Sequence, residues 1–207
     1  MSICAYHQAN IQSQLRVKDE DNEKHYLETI KGYDKESINT FPKLLGFLQM
    51  KIYDNPYSDL LGEYFTEHIT RGQNGQYFTP EHICELMSQL NNASNQKGKR
   101  VLDPACGSGR FLLKFAKHSP DNFFYGADIS STCAKMSVLN FFLNGLRGEV
   151  AWMNTLSMEW FGGWHINMNG LGIVSIEKEQ SLIWSKPSFS KKPENKPSTK
   201  GNQLTLF

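Results

Sequence analysis

The chain has 207 residues, enough for one domain with appendages and a real core, and its 22 Lys and Arg against 21 Asp and Glu leave a net charge of +1. That balance neither requires nor excludes nucleic acid, since a basic stripe can sit within a neutral total. No apolar run reaches the roughly 18 residues of a membrane helix, the first eight residues lack the charged and apolar regions of a secretory leader, and Cys4, Cys84, Cys106 and Cys133 lack paired spacing, so disulfides, zinc and a membrane are not expected and a reducing cytoplasm is.

Residues 1–40 are mostly polar, with amides at Gln8, Asn10, Gln12 and Gln14 and a charge run from Lys18 to Lys24. They read as a loose or helical arm, best placed as a solvated surface helix. From Phe41 the pattern turns amphipathic. Pro42 suits a helix start, Leu44, Leu45, Phe47, Leu48 and Ile52 recur at helical spacing, and Asn55-Pro56 breaks the run. Leu60, Leu61, Tyr64, Phe65, His68 and Ile69 form a second stripe, followed by a turn over Arg71–Gly75. Thr79 reads as a cap with Pro80 in the first helical position, and the helix runs through Ile83, Leu86, Met87 and Leu90 to Asn91-Asn92. His82 stands where a capping box would place Glu or Gln.

A strand is expected over Arg100–Asp103, then the loop Pro104–Gly109, then a helix holding Phe111, Leu112, Leu113, Phe115 and Ala116. Asn122–Asp128 reads as the next strand, Ser130 or Ser131 caps a helix that Gly145 closes, and Val150–Met153 is a third strand. The alternation predicts an α/β fold with a parallel sheet and right-handed crossovers. After Asn154 the glycines and Trp160 and Trp164 suggest turns around short strands, with one more strand at Ile173–Ile176. From Lys186 five lysines, one glutamate and three prolines make a linker of the composition that stays disordered. The expected organisation is therefore an arm at 1–40, a helical segment at 41–95, a core at 96–185 and a basic tail at 186–207.

Asp103–Gly109 is the strongest site-like element. A strand ends, glycines let backbone approach a ligand, and a helix begins, the makings of a nucleotide-type site at the carboxyl ends of parallel strands. Asp128 ends the next strand about 20 residues on, where a carboxylate can accept hydrogen bonds from ribose hydroxyls. It can equally cap the following helix. The six histidines are scattered without a metal-ligand pattern.

Asp103-Pro104-Ala105-Cys106-Gly107-Ser108-Gly109 resembles the S-adenosylmethionine loop of the adenine-N-6 DNA methyltransferases, especially the modification subunits of type I restriction systems. Gly75-Gln76-Tyr77-Phe78-Thr79-Pro80 is similar to the family's upstream cofactor motif, in the same order and spacing. The resemblance covers about Asp59 to Leu156. It implies a Rossmann-like methyltransferase fold, here with a reduced sheet and a helical N-terminal region, and an S-adenosylmethionine site. Tyr77 and Thr79 would touch the methionine moiety, Asp103, Ala105, Gly107 and Gly109 would belong to the cradle, and Asp128 would hold the ribose. Asn154 falls where the family reads the cofactor's adenine, a task an amide suits because it donates and accepts; it can also be a plain turn residue. Cys106 is implied to be a packing residue.

The family's Asn/Asp-Pro-Pro-aromatic motif, whose acceptors steer the target amine's lone pair, has no counterpart here. Its nearest echo is Lys186-Pro187-Ser188-Phe189, and lysine offers no acceptor. Two functions stay open: a DNA adenine methyltransferase, or the cofactor half of one completed by a partner subunit that recognises the target, and a non-catalytic relative acting as a DNA- or replisome-associated accessory. Gln203-Leu204-Thr205-Leu206-Phe207 resembles the pentapeptide that docks on the bacterial DNA polymerase sliding clamp, with Gln203, Leu204, Leu206 and Phe207 as contacts on a flexible tether.

Overall fold

The computed structural model describes residues 1–13, 19–70, 78–91 and 97–184. The expectations for Gly75–Tyr77 and for everything from Lys186 to Phe207 fall outside them.

The chain opens with helices α1 (Ser2–Ala5), α2 (Gln8–Ser13), α3 (Glu20–Ile30) and α4 (Lys35–Asp54). The carboxylate of Asp19 accepts the Asn22 N–H at 3.0 Å and that of Asp34 accepts the Ser37 N–H at 2.8 Å, so both long helices start at side-chain caps. Pro42 consequently lies inside α4, because the Asp34 cap starts the helix before the proline is reached. The chain leaves α4 at Asn55, ahead of Pro56. Asp59 caps α5 (Leu60–Tyr64), which continues as a π-helix over Phe65–Thr70. Helix α6 spans Glu81–Asn91, starting one residue later than Pro80.

The N-terminal arm is not merely solvated. Cys4 is buried, Ile3 and Tyr6 pack on the core, and the Tyr6 ring lies 4.3 Å from that of Phe142. The Ile173 N–H donates to the Tyr6 carbonyl at 3.0 Å, and His7 bridges to Ile173. A few apolar residues near the start of a polar segment are enough to dock it.

The core alternates β1 (Arg100–Asp103), α7 (Arg110–His118), β2 (Phe123–Asp128), α8 (Ser131–Leu143) and β3 (Arg147–Asn154), then turns back through β4 (Glu159–Ile166) and β5 (Ile173–Ile176). The strand order is β1-β2-β3-β4-β5. β1, β2 and β3 run parallel, as the alternation of strand and helix predicts; β4 is antiparallel to β3, and β5, antiparallel to β4, returns to their direction. Residues 155–158 are too few for a parallel crossover, which takes about a dozen, so the chain folds back as a hairpin with Met158 left-handed at φ 57°.

Register aligns Val101, Phe124, Gly148, Ile166 and Ile173 in one row across all five strands. On that face Leu112, Leu113, Phe115 and Ala116 of α7 and Ala134, Val138 and Phe141 of α8 form the core. On the other face Ala127, Ala151 and Met153 meet Ile183 and Trp184. The fully buried Glu149 of β3 anchors this covering segment, accepting from the Ser181 hydroxyl and from the Leu182 N–H at 2.8 Å. Among the described residues no helix is long and apolar enough to cross a membrane.

Candidate cofactor site

The turn after β1 is set by two left-handed glycines, Gly107 at φ 55° and Gly109 at φ 84°. Gly109 caps α7, and a Cβ there would run into Ser137 and Phe141 of α8, so its smallness serves helix packing. A Cβ on Gly107 would lie 2.9 Å from the Phe78 ring. The Gly107 N–H donates to Asp128 at 2.8 Å, and the other Asp128 oxygen accepts the Ser130 N–H at 2.8 Å. One carboxylate thus joins the glycine turn of β1 to the end of β2 and also braces the start of α8.

Between these strand ends lies a cleft enclosing about 270 Å³, near the lower end of ligand-site sizes. Asp103, Ala105, Gly107, Thr79 and Asp128 line it, with Phe78, Cys84, Arg110, Phe111 and Ile129 among the other walls. Burial pushes the half-buried Asp103 carboxyl above its ordinary range, the charge of Asp128 adds to the rise, and the Ala105 N–H, donating at 3.1 Å, opposes it. Cys106 is buried with its sulfur 3.6 Å from the Ser137 hydroxyl, and burial raises its thiol far above the ordinary value, which suits packing and not nucleophilic attack.

Behind the cleft sits a buried polar network. Asp59, 2 % exposed, accepts from Ser108 at 2.5 Å, from Arg110 Nε at 2.8 Å, from the Gly62 N–H at 3.0 Å and from Asn140 Nδ2 at 2.9 Å. It ties α5, the glycine turn, α7 and α8 to one carboxylate. Arg110 Nη1 also donates to the Thr79 carbonyl at 3.1 Å, and Lys114 pairs with Glu81, so α7 holds the segment that enters α6 against the cleft.

A family model described as N-6 DNA Methylase matches residues 51–205. The chain belongs to that family. The methylase subunit of the type I restriction enzyme MjaVIII from Methanocaldococcus jannaschii is 26% identical over 122 residues, covering 55% of this chain and 21% of that protein. The type II restriction enzyme and methyltransferase RM.BcgI from Heyndrickxia coagulans is 31% identical over 145 residues, covering 61% of this chain and 22% of its own length. The methylase subunit of the type I restriction enzyme MpnII from Mycoplasma pneumoniae is 25% identical over 122 residues. The chain therefore spans about a fifth of the length of these relatives. No solved structure matches it. The mixed α/β architecture is that of a methyltransferase-type fold, as the glycine-turn motif implied.

Within the chain the residues singled out from the sequence separate into groups. Thr79, Asp103, Ala105, Gly107 and Asp128 meet at the cleft. Gly109 lies behind it, against α8. Asn154 ends β3, and its carboxamide oxygen accepts the N–H groups of Leu156 at 3.0 Å and Ser157 at 3.2 Å, a turn-forming role. It is not among the residues lining the cleft. The next residue, Thr155, donates to the Pro104 carbonyl at 3.1 Å and so fastens this turn to the glycine loop. Tyr77, Gln203, Leu204, Leu206 and Phe207 lie outside the described residues. Sequence reasoning missed Arg110, Phe78 and Asp59. Arg110 carried a signal: a cation at the first position of a helix opposes the helix dipole and asks for a reason.

Proposed function

We propose that this chain binds S-adenosylmethionine in the cleft between β1 and β2 and forms the cofactor-binding part of a DNA adenine N-6 methyltransferase. One observation carries the reading: the Gly107 N–H meets the Asp128 carboxylate at 2.8 Å, so glycine turn and acidic strand end frame a single hollow with Asp103 beside them. The fit is chemical as well as steric. Asp103 is a half-buried carboxylate able to balance a cationic ammonium or sulfonium, Asp128 has lone pairs left for hydroxyls, Phe78, Phe111 and Ile129 offer apolar wall, and Gly107 leaves backbone where any Cβ would strike Phe78. When bound, the cofactor would supply an electrophilic methyl group; the residues here bind and orient it. Relatives are named as methylase subunits of type I restriction enzymes and as a type II restriction enzyme and methyltransferase. By that likeness DNA is the substrate, and the acceptors for the target amine and the recognition of sequence come from outside the described residues, in a partner subunit.

Calorimetry with S-adenosylmethionine tests the binding. Wild type is expected to bind, Asp128→Ala to lose affinity at least about tenfold, one charge-assisted hydrogen bond's worth, and Gly107→Val to lose it through the clash with Phe78. Absence of wild-type binding would remove the cofactor from the account. Transfer of tritiated methyl groups to unmethylated DNA, with and without candidate specificity subunits, then tests the activity.

The absence of an Asn/Asp-Pro-Pro-aromatic run favours a second reading, a non-catalytic accessory that keeps the cofactor cleft and docks on a bacterial sliding clamp through Gln203, Leu204, Leu206 and Phe207. Equal capture by the clamp of the full chain and of a chain lacking residues 203–207 would dismiss it.

A further inference from the structure

Arg110 is the cation of the cleft, and most of its bonding is spoken for. Its Nε donates to Asp59 at 2.8 Å and its Nη1 to the Thr79 carbonyl at 3.1 Å. Its third nitrogen, Nη2, is buried with no hydrogen-bond partner, although the residue is only 9 % exposed and lines the cleft. The ring of Phe78, another wall of the cleft, lies 5.9 Å from the guanidinium carbon. A buried charged donor left unmatched is costly, and a cation in the first turn of α7 adds an unfavourable dipole interaction. The tether to Asp59 and Thr79 accounts for two nitrogens and leaves the third unexplained. Lys114, the other buried cation of α7, has its partner in Glu81 and poses no such question.

The unmatched donor calls for an anionic acceptor in the cleft. A free anion such as phosphate is disfavoured there, because Asp103 and Asp128 line the same space. A zwitterion answers both demands: its cationic end faces Asp103 and its anionic end faces Arg110. We propose that Arg110 Nη2 binds the α-carboxylate of the cofactor's amino-acid end and makes the site selective for ligands that carry it. This rests on the S-adenosylmethionine reading above and adds to it a specificity residue.

The test compares S-adenosylmethionine with decarboxylated S-adenosylmethionine, which lacks only the carboxylate, and with 5′-methylthioadenosine, which lacks the amino-acid end, by calorimetry on the full chain. Wild type is expected to prefer the complete cofactor over the decarboxylated one roughly 10- to 100-fold, the range for one charge-assisted hydrogen bond. In Arg110→Gln that preference collapses to within about threefold, on top of any equal loss for both compounds that the broken Asp59 pair brings. Should Arg110→Gln not fold, Arg110→Lys replaces it; a single ammonium cannot hold Asp59, Thr79 and a ligand carboxylate together, so the preference again falls, by roughly fivefold or more. Equal wild-type affinity for the complete and decarboxylated compounds overturns the inference and leaves cofactor binding standing. Parallel losses for both compounds in the variants show a purely structural arginine and also overturn it. Wild-type binding of none of the three sinks the cofactor reading and this inference with it.

Discussion

At the scale of single residues, the site is organised by carboxylates that serve several masters. Asp59 holds four donors from four segments while almost fully buried, so Asp59→Ala would leave the Arg110 guanidinium buried beside a void. Breaking a buried pair by removing one partner costs about 3–5 kcal/mol, and a urea unfolding series should show stability lower by that order in the variant than in wild type. Asp103 makes a pH prediction. Its carboxyl is raised in the folded chain, so the neutral form is the one folding favours; that contribution is complete below the ordinary aspartate value of 3.8 and is lost as pH climbs through the higher folded value. Stability of the ligand-free protein should decline across that window, and Asp103→Asn should flatten the decline, as followed by unfolding midpoints against pH. Affinity for a sulfonium ligand should change in the opposite direction, rising with pH as the carboxylate forms. The meeting of Asp103, Gly107 and Asp128 was legible because strand ends and glycine turns are local patterns. The roles of Asp59 and Arg110 were not, since the two stand 51 positions apart and only the tertiary fold brings them to hydrogen-bond distance.

At the scale of elements, boundaries were clearest where punctuation is strong. β1, α7, β2 and α8 fall close to their expected limits because glycines, Asp128 and the Ser130 cap bound them. β4 was obscured by Gly162-Gly163, which read as a turn. In the sheet, Gly163 leaves room for the Trp160 ring, 2.5 Å from where a Cβ would sit, so the glycine belongs to a strand that packs closely. The docking of α1 was equally hidden, since it depends on the turn before β5. There Gly172, at φ 133°, runs against the Gln8 backbone. Gly172→Ala should cost about 1–3 kcal/mol in backbone strain and appear as faster amide exchange over residues 2–13, with the cleft untouched. Glu149→Ala should loosen the opposite cover: with the acceptor for Ser181 and Leu182 gone, Trp184 would leave Ala151 and Met153, and the expected readout is a red shift of tryptophan emission.

At the scale of the molecule, a reduced sheet was among the expectations, and five strands are present among the described residues. The reversal of β4 was not foreseeable, because direction depends on a four-residue connection whose turn conformation involves Met158, a residue with no strong turn preference. Each strand of the sheet pairs with the one made just before it. Ladders of this kind close short loops in succession, which keeps the entropy of closure small and favours rapid assembly, even as the chain leaves the ribosome. The bridge from His7 to Ile173 is the exception, for it joins opposite ends of the described chain and has nothing to land on until β5 is in place. A truncation of the Cys4 side chain to alanine should therefore speed unfolding and leave the refolding rate nearly unchanged, the kinetic signature of a latch that fastens last.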